Sequence, residues 1–121
     1  MANIFMVGLD EAAADRIGTA LAPGHHHIDR CPAPVQPQDL DKADIVFAGS
    51  DRTQYLPLLR GFRDTHPDTP FVVVARVPET SEWIEALEAG ATDYCSDTDG
   101  NRQLGWLVES LMPLAKAVSA V

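Results

Sequence analysis

Four short apolar runs punctuate the chain: Ile4-Phe5-Met6-Val7, Ile45-Val46-Phe47-Ala48, Phe71-Val72-Val73-Val74-Ala75 and the weaker Ala91-Thr92-Asp93-Tyr94-Cys95. The first three are continuous rather than alternating, which is the pattern of strands buried on both faces of a parallel sheet. Between the runs, apolar residues recur at helical spacing. Ala13, Ile17, Ala20 and Leu21 make one stripe, stopped by Pro23-Gly24, and Tyr55, Leu58, Leu59 and Phe62 make another, ended by Pro67. Trp83, Ile84 and Leu87 make a third, with Thr80 or Ser81 as N-cap and Gly90 as stop. This stripe is expected to face the core, with Trp83 at its edge. Leu104, Leu107, Val108 and Leu111 make the last, with Asp99 or Asn101 as cap and Pro113 as kink or stop.

The polar segment His25 to Cys31 predicts one more strand, at a sheet edge. Pro32 to Lys42 holds three prolines and only Val35 and Leu40 as apolar anchors, room for a short helix at most. Strand and helix alternate, so the expected architecture is a series of βαβ units closing a parallel sheet with helices on both faces. With 121 residues and no repeat or linker, the chain is expected to form a single domain over 1–121, with 114–121 as helix, tail or linker.

Charge narrows the function. Nine Lys and Arg against 18 Asp and Glu leave a net charge of −9, which argues against a nucleic-acid partner. No apolar run approaches the roughly 20 residues that span a bilayer, and no secretory signal is visible. Two cysteines, Cys31 and Cys95, fit reduced thiols in a cytoplasmic protein.

The second half carries three linked motifs. Leu58-Leu59-Arg60-Gly61-Phe62-Arg63 is followed by His66-Pro67-Asp68-Thr69-Pro70-Phe71-Val72-Val73-Val74, then by Ala86-Leu87-Glu88-Ala89-Gly90-Ala91-Thr92-Asp93-Tyr94. This series resembles response-regulator receiver (CheY-like) domains, which read L-L-R-x-h-R, H-P-x-x-P-h-h-h-h and A-L-x-A-G-A-x-D-Y in the same order, h being apolar. The first half fits by pattern, through the first run, the helix after it, and Ala43-Asp44-Ile45-Val46-Phe47. The resemblance implies a flavodoxin-like (βα)5 three-layer sandwich of sheet order 2-1-3-4-5, with the second helix short or missing. Sites in such a fold lie beyond the carboxyl ends of the strands.

The family's phosphorylation residues are absent from their slots. The two acidic Mg²⁺ positions after the first strand are Gly8 and Leu9, and the phosphoacceptor position is Gly49. Ala75 stands at the Ser/Thr position that senses phosphate, and Asp97-Thr98 replace the Lys-Pro pair after the last strand. Phosphoryl transfer to a carboxylate needs a metal, an acceptor and a cation on the transferred group. The resemblance therefore implies a degenerate receiver, no enzyme, needing no cofactor. An alternative keeps the phosphorelay through a displaced site, with Asp10 holding Mg²⁺ and Asp51 or Ser50 accepting phosphate. Asp10, Asp51, Asp97 and Asp99 all lie close to the vacated slots, yet no Lys or Arg occurs between Val77 and Gly100. Loop aspartates also cap helices, which accounts for them without chemistry. A third possibility is a small-ligand sensor at the vacated pocket.

Other chemistry is thin. His25 and His27 would share a strand face with Cys31, an incomplete zinc set that an exposed edge strand explains as well. No serine sits in a G-x-S-x-G elbow, and no phosphate-binding glycine loop occurs. Tyr94, three residues before Asp97, matches the family's switch aromatic and is expected to hold one inward orientation. Trp106 falls opposite the last apolar stripe and, with Trp83 and Tyr94, is expected to mark a contact surface. The expected function is phosphorylation-independent protein–protein interaction in signal transduction. Its partner is a protein left unidentified, or a second copy docked through the last two helices and the last strand.

Overall fold

A computed structural model describes residues 3–21, 27–31, 35–49, 52–75 and 79–96. The elements are β1 (Asn3–Val7), α1 (Glu11–Leu21), β2 (His27–Cys31), a 3₁₀ turn (Pro37–Leu40), β3 (Ile45–Ala48), α2 (Arg52–Thr65), β4 (Phe71–Ala75), α3 (Thr80–Glu88) and β5 (Asp93–Ser96). All strand pairs are parallel and the sheet order is β2-β1-β3-β4-β5. That is the order and class anticipated from the sequence. The strand predicted over His25 to Cys31 lies at the edge, starting at His27 within the described residues. Among the described residues, the crossover from β2 to β3 holds only the four-residue 3₁₀ turn, with Leu40 fully buried and Val35 packed against the core.

Successive strand residues point to opposite faces, so each continuous run feeds two cores. Ile4, Met6, Ile45, Phe47, Val72 and Val74 join Ile17 and Leu21 of α1 on one face. Val7, Val46, Ala48, Phe71 and Val73 join the 3₁₀ turn, α2 and Ala86 of α3 on the other. The α2 stripe is as expected and wider, since Leu56 is buried beside Tyr55, Leu58, Leu59 and Phe62. The stripe from Leu104 to Leu111, Trp106 and residues 114–121 lie outside the described residues, as do the Pro23-Gly24 stop and the Asp99 and Asn101 caps.

The α3 expectation is corrected. Trp83, Ile84 and Leu87 are 46%, 49% and 40% exposed, and Ala86 is the buried residue of the helix. The inward side carries Glu82, Glu85, Ala86 and Ala89 instead. The helix is opened by Glu79, whose side chain makes no capping bond, rather than by Thr80 or Ser81. Its end is as predicted: Gly90 follows with φ +113°, a left-handed stop that suits glycine.

Arg63 ties the lower loops together. Its guanidinium donates to the carbonyls of Gly90, His66 and Thr69 and to Thr92 Oγ1. Thr92 Oγ1 also accepts from the Phe71 N–H at 3.0 Å, so one cation fixes the entries to both β4 and β5. Burial pulls the guanidinium below its ordinary pKa, with the Asp68 charge opposing. All four acceptors are neutral, and each loses a charge-assisted partner if the cation goes. Arg63→Met is expected to cost about 2 kcal/mol or more in chemical denaturation. Arg60→Ala, one exposed arginine away on the same helix, should cost no more than about 0.5 kcal/mol. Equal losses would show that Arg63 is not the tie.

Candidate functional site

The carboxyl ends of the parallel strands bring together the positions expected to correspond to a receiver's phosphorylation slots. Gly8 follows β1, Gly49 follows β3 and Ala75 ends β4. Asp97, Asp51 and Ser50 lie outside the described residues. The chain leaves β1 through Gly8 at φ +67°, and the next residue, Leu9, packs against the α1-side core. A methyl group built on Gly49 would collide with Leu9 Cδ2 and stand 3.2 Å from the Val74 carbonyl oxygen. Leu9 thus fills the space into which a side chain at position 49 would project. One hydrocarbon fills both positions 9 and 49 of the expected slots.

This arrangement does not fit the Mg²⁺ of the family. Gly8, Leu9 and Gly49 have no side-chain oxygen, whereas a hard divalent ion requires oxygen ligands. Asp10, proposed as a displaced ligand, turns to the helix instead. Its Oδ1 accepts from the Ala13 N–H at 2.7 Å, an N-cap of α1 next to the helix's positive end.

Tyr94 is half-buried, with its ring against the α2-side core. Its hydroxyl accepts from the Glu79 N–H at 3.3 Å and donates to Glu82 Oε2 at 3.4 Å. Burial pushes its pKa up, the Glu79 bond opposes, and the Glu82 charge adds to the rise. Close by, Tyr55 Oη and Glu85 Oε1 are buried without hydrogen-bond partners. Arg52 Nε stands 3.3 Å from Glu85 Oε1 as an ion pair. Burial and the charges of Glu82, Tyr94 and Glu85 push Tyr55 up to about 12, against the Arg52 charge. Inward carboxylates on α3 therefore face two tyrosines, while the apolar side of the helix faces outward.

The remaining candidates do not converge. His27 Nε2 lies 3.3 Å from Asp29 on the same strand face, and His25 is outside the described residues. Among the described residues no group of three or more His, Cys, Asp or Glu side chains could hold a metal ion. No described helix is long and apolar enough to cross a membrane. Cys95 is buried as a small hydrophobe, and Cys31 is half-buried at the end of β2 with its thiol pKa raised, first by burial. Neither is activated as a nucleophile.

Two predictions test the site. Gly49→Ala is expected to destabilise the domain by about 1–3 kcal/mol through overpacking. Adding Leu9→Ala should return at least about 0.5 kcal/mol of coupling in a double-mutant cycle; strict additivity would mean that Leu9 is not the obstacle. Tyr55→Phe removes an unpartnered buried hydroxyl and should stabilise the protein by about 1 kcal/mol at neutral pH. The sign with pH follows from linkage. Tyr55 keeps its proton when folded up to about 12, whereas an unfolded tyrosine loses it near 10. The native protein therefore loses stability as pH rises from about 10 to about 12, and Tyr55→Phe should flatten that fall. Urea melts across this range measure both effects.

No family model matches the chain, and no curated protein sequence matches it. Solved structures do. A response regulator from Thermotoga maritima superposes with a TM-score of 0.80 at 20% identity, covering 93% of this chain and 98% of that one. A pilus assembly-related protein from Burkholderia pseudomallei gives 0.77 at 17% identity, covering 94% and 91%. An orphan response regulator of H. pylori gives 0.74 at 16% identity, covering 91% and 95%. At these identities the likeness establishes the fold, and the chain has the fold of response-regulator receiver (CheY-like) domains.

Proposed function

We propose that the chain is a receiver-type signalling module that acts by protein–protein contact, without a phosphorylation cycle and without catalysis of its own. The observation that carries this is the side chain of Leu9 standing over Gly49. On the expected correspondence of Gly49 to a receiver's acceptor position, hydrocarbon stands where the carboxylate would be, and Asp10 is engaged as a helix cap.

The contact surface we assign is the outer face of α3. Trp83, Leu87 and Ile84 fall within about 100° of one another on the helix. All three are substantially exposed, and a clustered apolar surface including a tryptophan suits an interface core. The half-buried Tyr94 supports α3 from beneath through Glu79 and Glu82. A protein partner or a second copy would cover this face. The setting that fits such a module is the cytoplasm, without nucleic acid or membrane as partner.

Intact-mass spectrometry after incubation with acetyl phosphate and Mg²⁺ should show no phosphoryl adduct. An adduct lost in Asp51→Asn would establish the displaced acceptor instead. Trp83→Ala should weaken self-association, read by sedimentation velocity, or capture of a purified partner by roughly tenfold or more. The melting temperature should stay within about 4 °C of the parent. Unchanged association with early unfolding would place Trp83 in the domain's own packing.

A further inference from the structure

Beyond the contact face, the short crossover leaves a second feature. A one-turn 3₁₀ segment, Pro37–Leu40, stands where the other helical crossovers carry 9 to 14 residues. Prolines cannot supply backbone donors and resist extension of that turn. Among the described residues, the α2-side face of β1 and β3 is covered there by this turn and α2. Between it, α2 and the turn lies a cavity of about 430 Å³, within the range of small-molecule sites. It sits where the sheet order reverses between β1 and β3, the usual ligand position of doubly wound sheets.

We infer that this cavity is a binding site for an uncharged, ring-bearing small molecule with an amide-like edge, of nicotinamide or nucleobase size. Its buried floor is apolar, made by Val7, Ala48 and Leu58. Its exposed rim carries the carboxamides of Gln36 and Gln54, each offering a donor and an acceptor. That combination matches a flat ring whose edge presents both kinds of partner. No charged residue is among the described residues that line it, and Gly8 and Gly49 contribute only backbone there. A phosphate or carboxylate would meet no counter-charge among the described residues and would enter a protein of net charge −9. The site is independent of the α3 face, so either assignment can fail alone.

The test is a backbone-amide NMR titration of the full chain with nicotinamide and with adenine, against nicotinate as the charged analogue. Either neutral probe should give saturable shifts at Gly8, Gln36, Gly49 and Gln54, with a dissociation constant on the order of 1 mM. Nicotinate should bind at least about tenfold more weakly, because burying its charge is not compensated. Ala48→Leu, which adds a side chain to the floor, should abolish the shifts while the fold persists. If that variant fails to fold, Val35→Trp at the cavity wall replaces it. The two neutral arms distinguish a pyridine-sized from a purine-sized ligand. No saturable shift with either neutral probe, equal binding of nicotinate, or binding retained in a folded cavity-filled variant would overturn the inference.

Discussion

A parallel sheet with apolar residues on both faces can be stable only where both faces are covered, and this constraint shapes the whole domain. Phe47 and Val46, adjacent in β3, are each fully buried but in different cores. A one-residue slip of β3 would exchange them between cores of different shape. Among the described residues, coverage on the α1 side comes from Ala14, Ile17 and Leu21. On the other side it comes unevenly from a 3₁₀ turn, a four-turn helix and a single buried alanine of α3. Among the described residues, that side carries least helix beside the turn, where the cavity lies, and least buried side chain at α3. Both proposed activities therefore arise where coverage is least complete.

The strand ends follow a different logic. Receiver chemistry concentrates like charges in one place and relies on a metal to neutralise them. Here the same backbone positions hold glycine, leucine, glycine and alanine, and the problem becomes one of filling space. Leu9 and Gly49 solve it jointly, because a leucine at 9 demands the smallest residue at 49. A carboxylate at position 49 would set a charge against the Leu9 hydrocarbon, which would have to shift to admit it.

Much of this was legible in the sequence, for physical reasons. Strand runs buried on both faces cannot be mistaken for surface, so β1, β3 and β4 emerge within a residue of their observed limits. The three prolines between Cys31 and Lys42 correctly limit that crossover to a short turn. The α3 orientation was not legible, because the helix has two stripes. Trp83, Ile84 and Leu87 are the more apolar, while Glu82, Glu85, Ala86 and Ala89 are the ones that face inward. Periodicity identifies a stripe and its spacing but not which side of the helix meets the sheet. Small residues at 86 and 89 were the available signal, since only they allow close approach to β5. The Leu9–Gly49 contact joins residues 40 positions apart, and Arg63 reaches Gly90 and Thr92 across similar distances. Motifs flagged Arg63 as part of a resemblance without indicating what it holds.

The imbalance between α2 and α3 bears on how such a module could work without phosphorylation. Five large residues of α2 are buried, each contributing about 1.5–3 kcal/mol. Among the described residues α3 buries one alanine, and its polar attachments include the 3.3 Å Arg52–Glu85 ion pair and two long hydrogen bonds joining Glu82 and the N-cap Glu79 to the Tyr94 hydroxyl. Partly exposed ion pairs contribute about 0–1 kcal/mol, and hydrogen bonds as long as 3.3 and 3.4 Å fall at the weak end of the usual range, even with the Glu82 carboxylate as one acceptor. Its attachment to the domain is therefore weak compared with that of α2, and its apolar face contributes little to folding. Low local stability of this kind is common among elements that engage ligands and partners. A partner covering Trp83, Ile84 and Leu87 would supply the burial that the sheet gives α2. The apolar side chains of α3 can thus change the strength of a contact with little change in the stability of the fold beneath them.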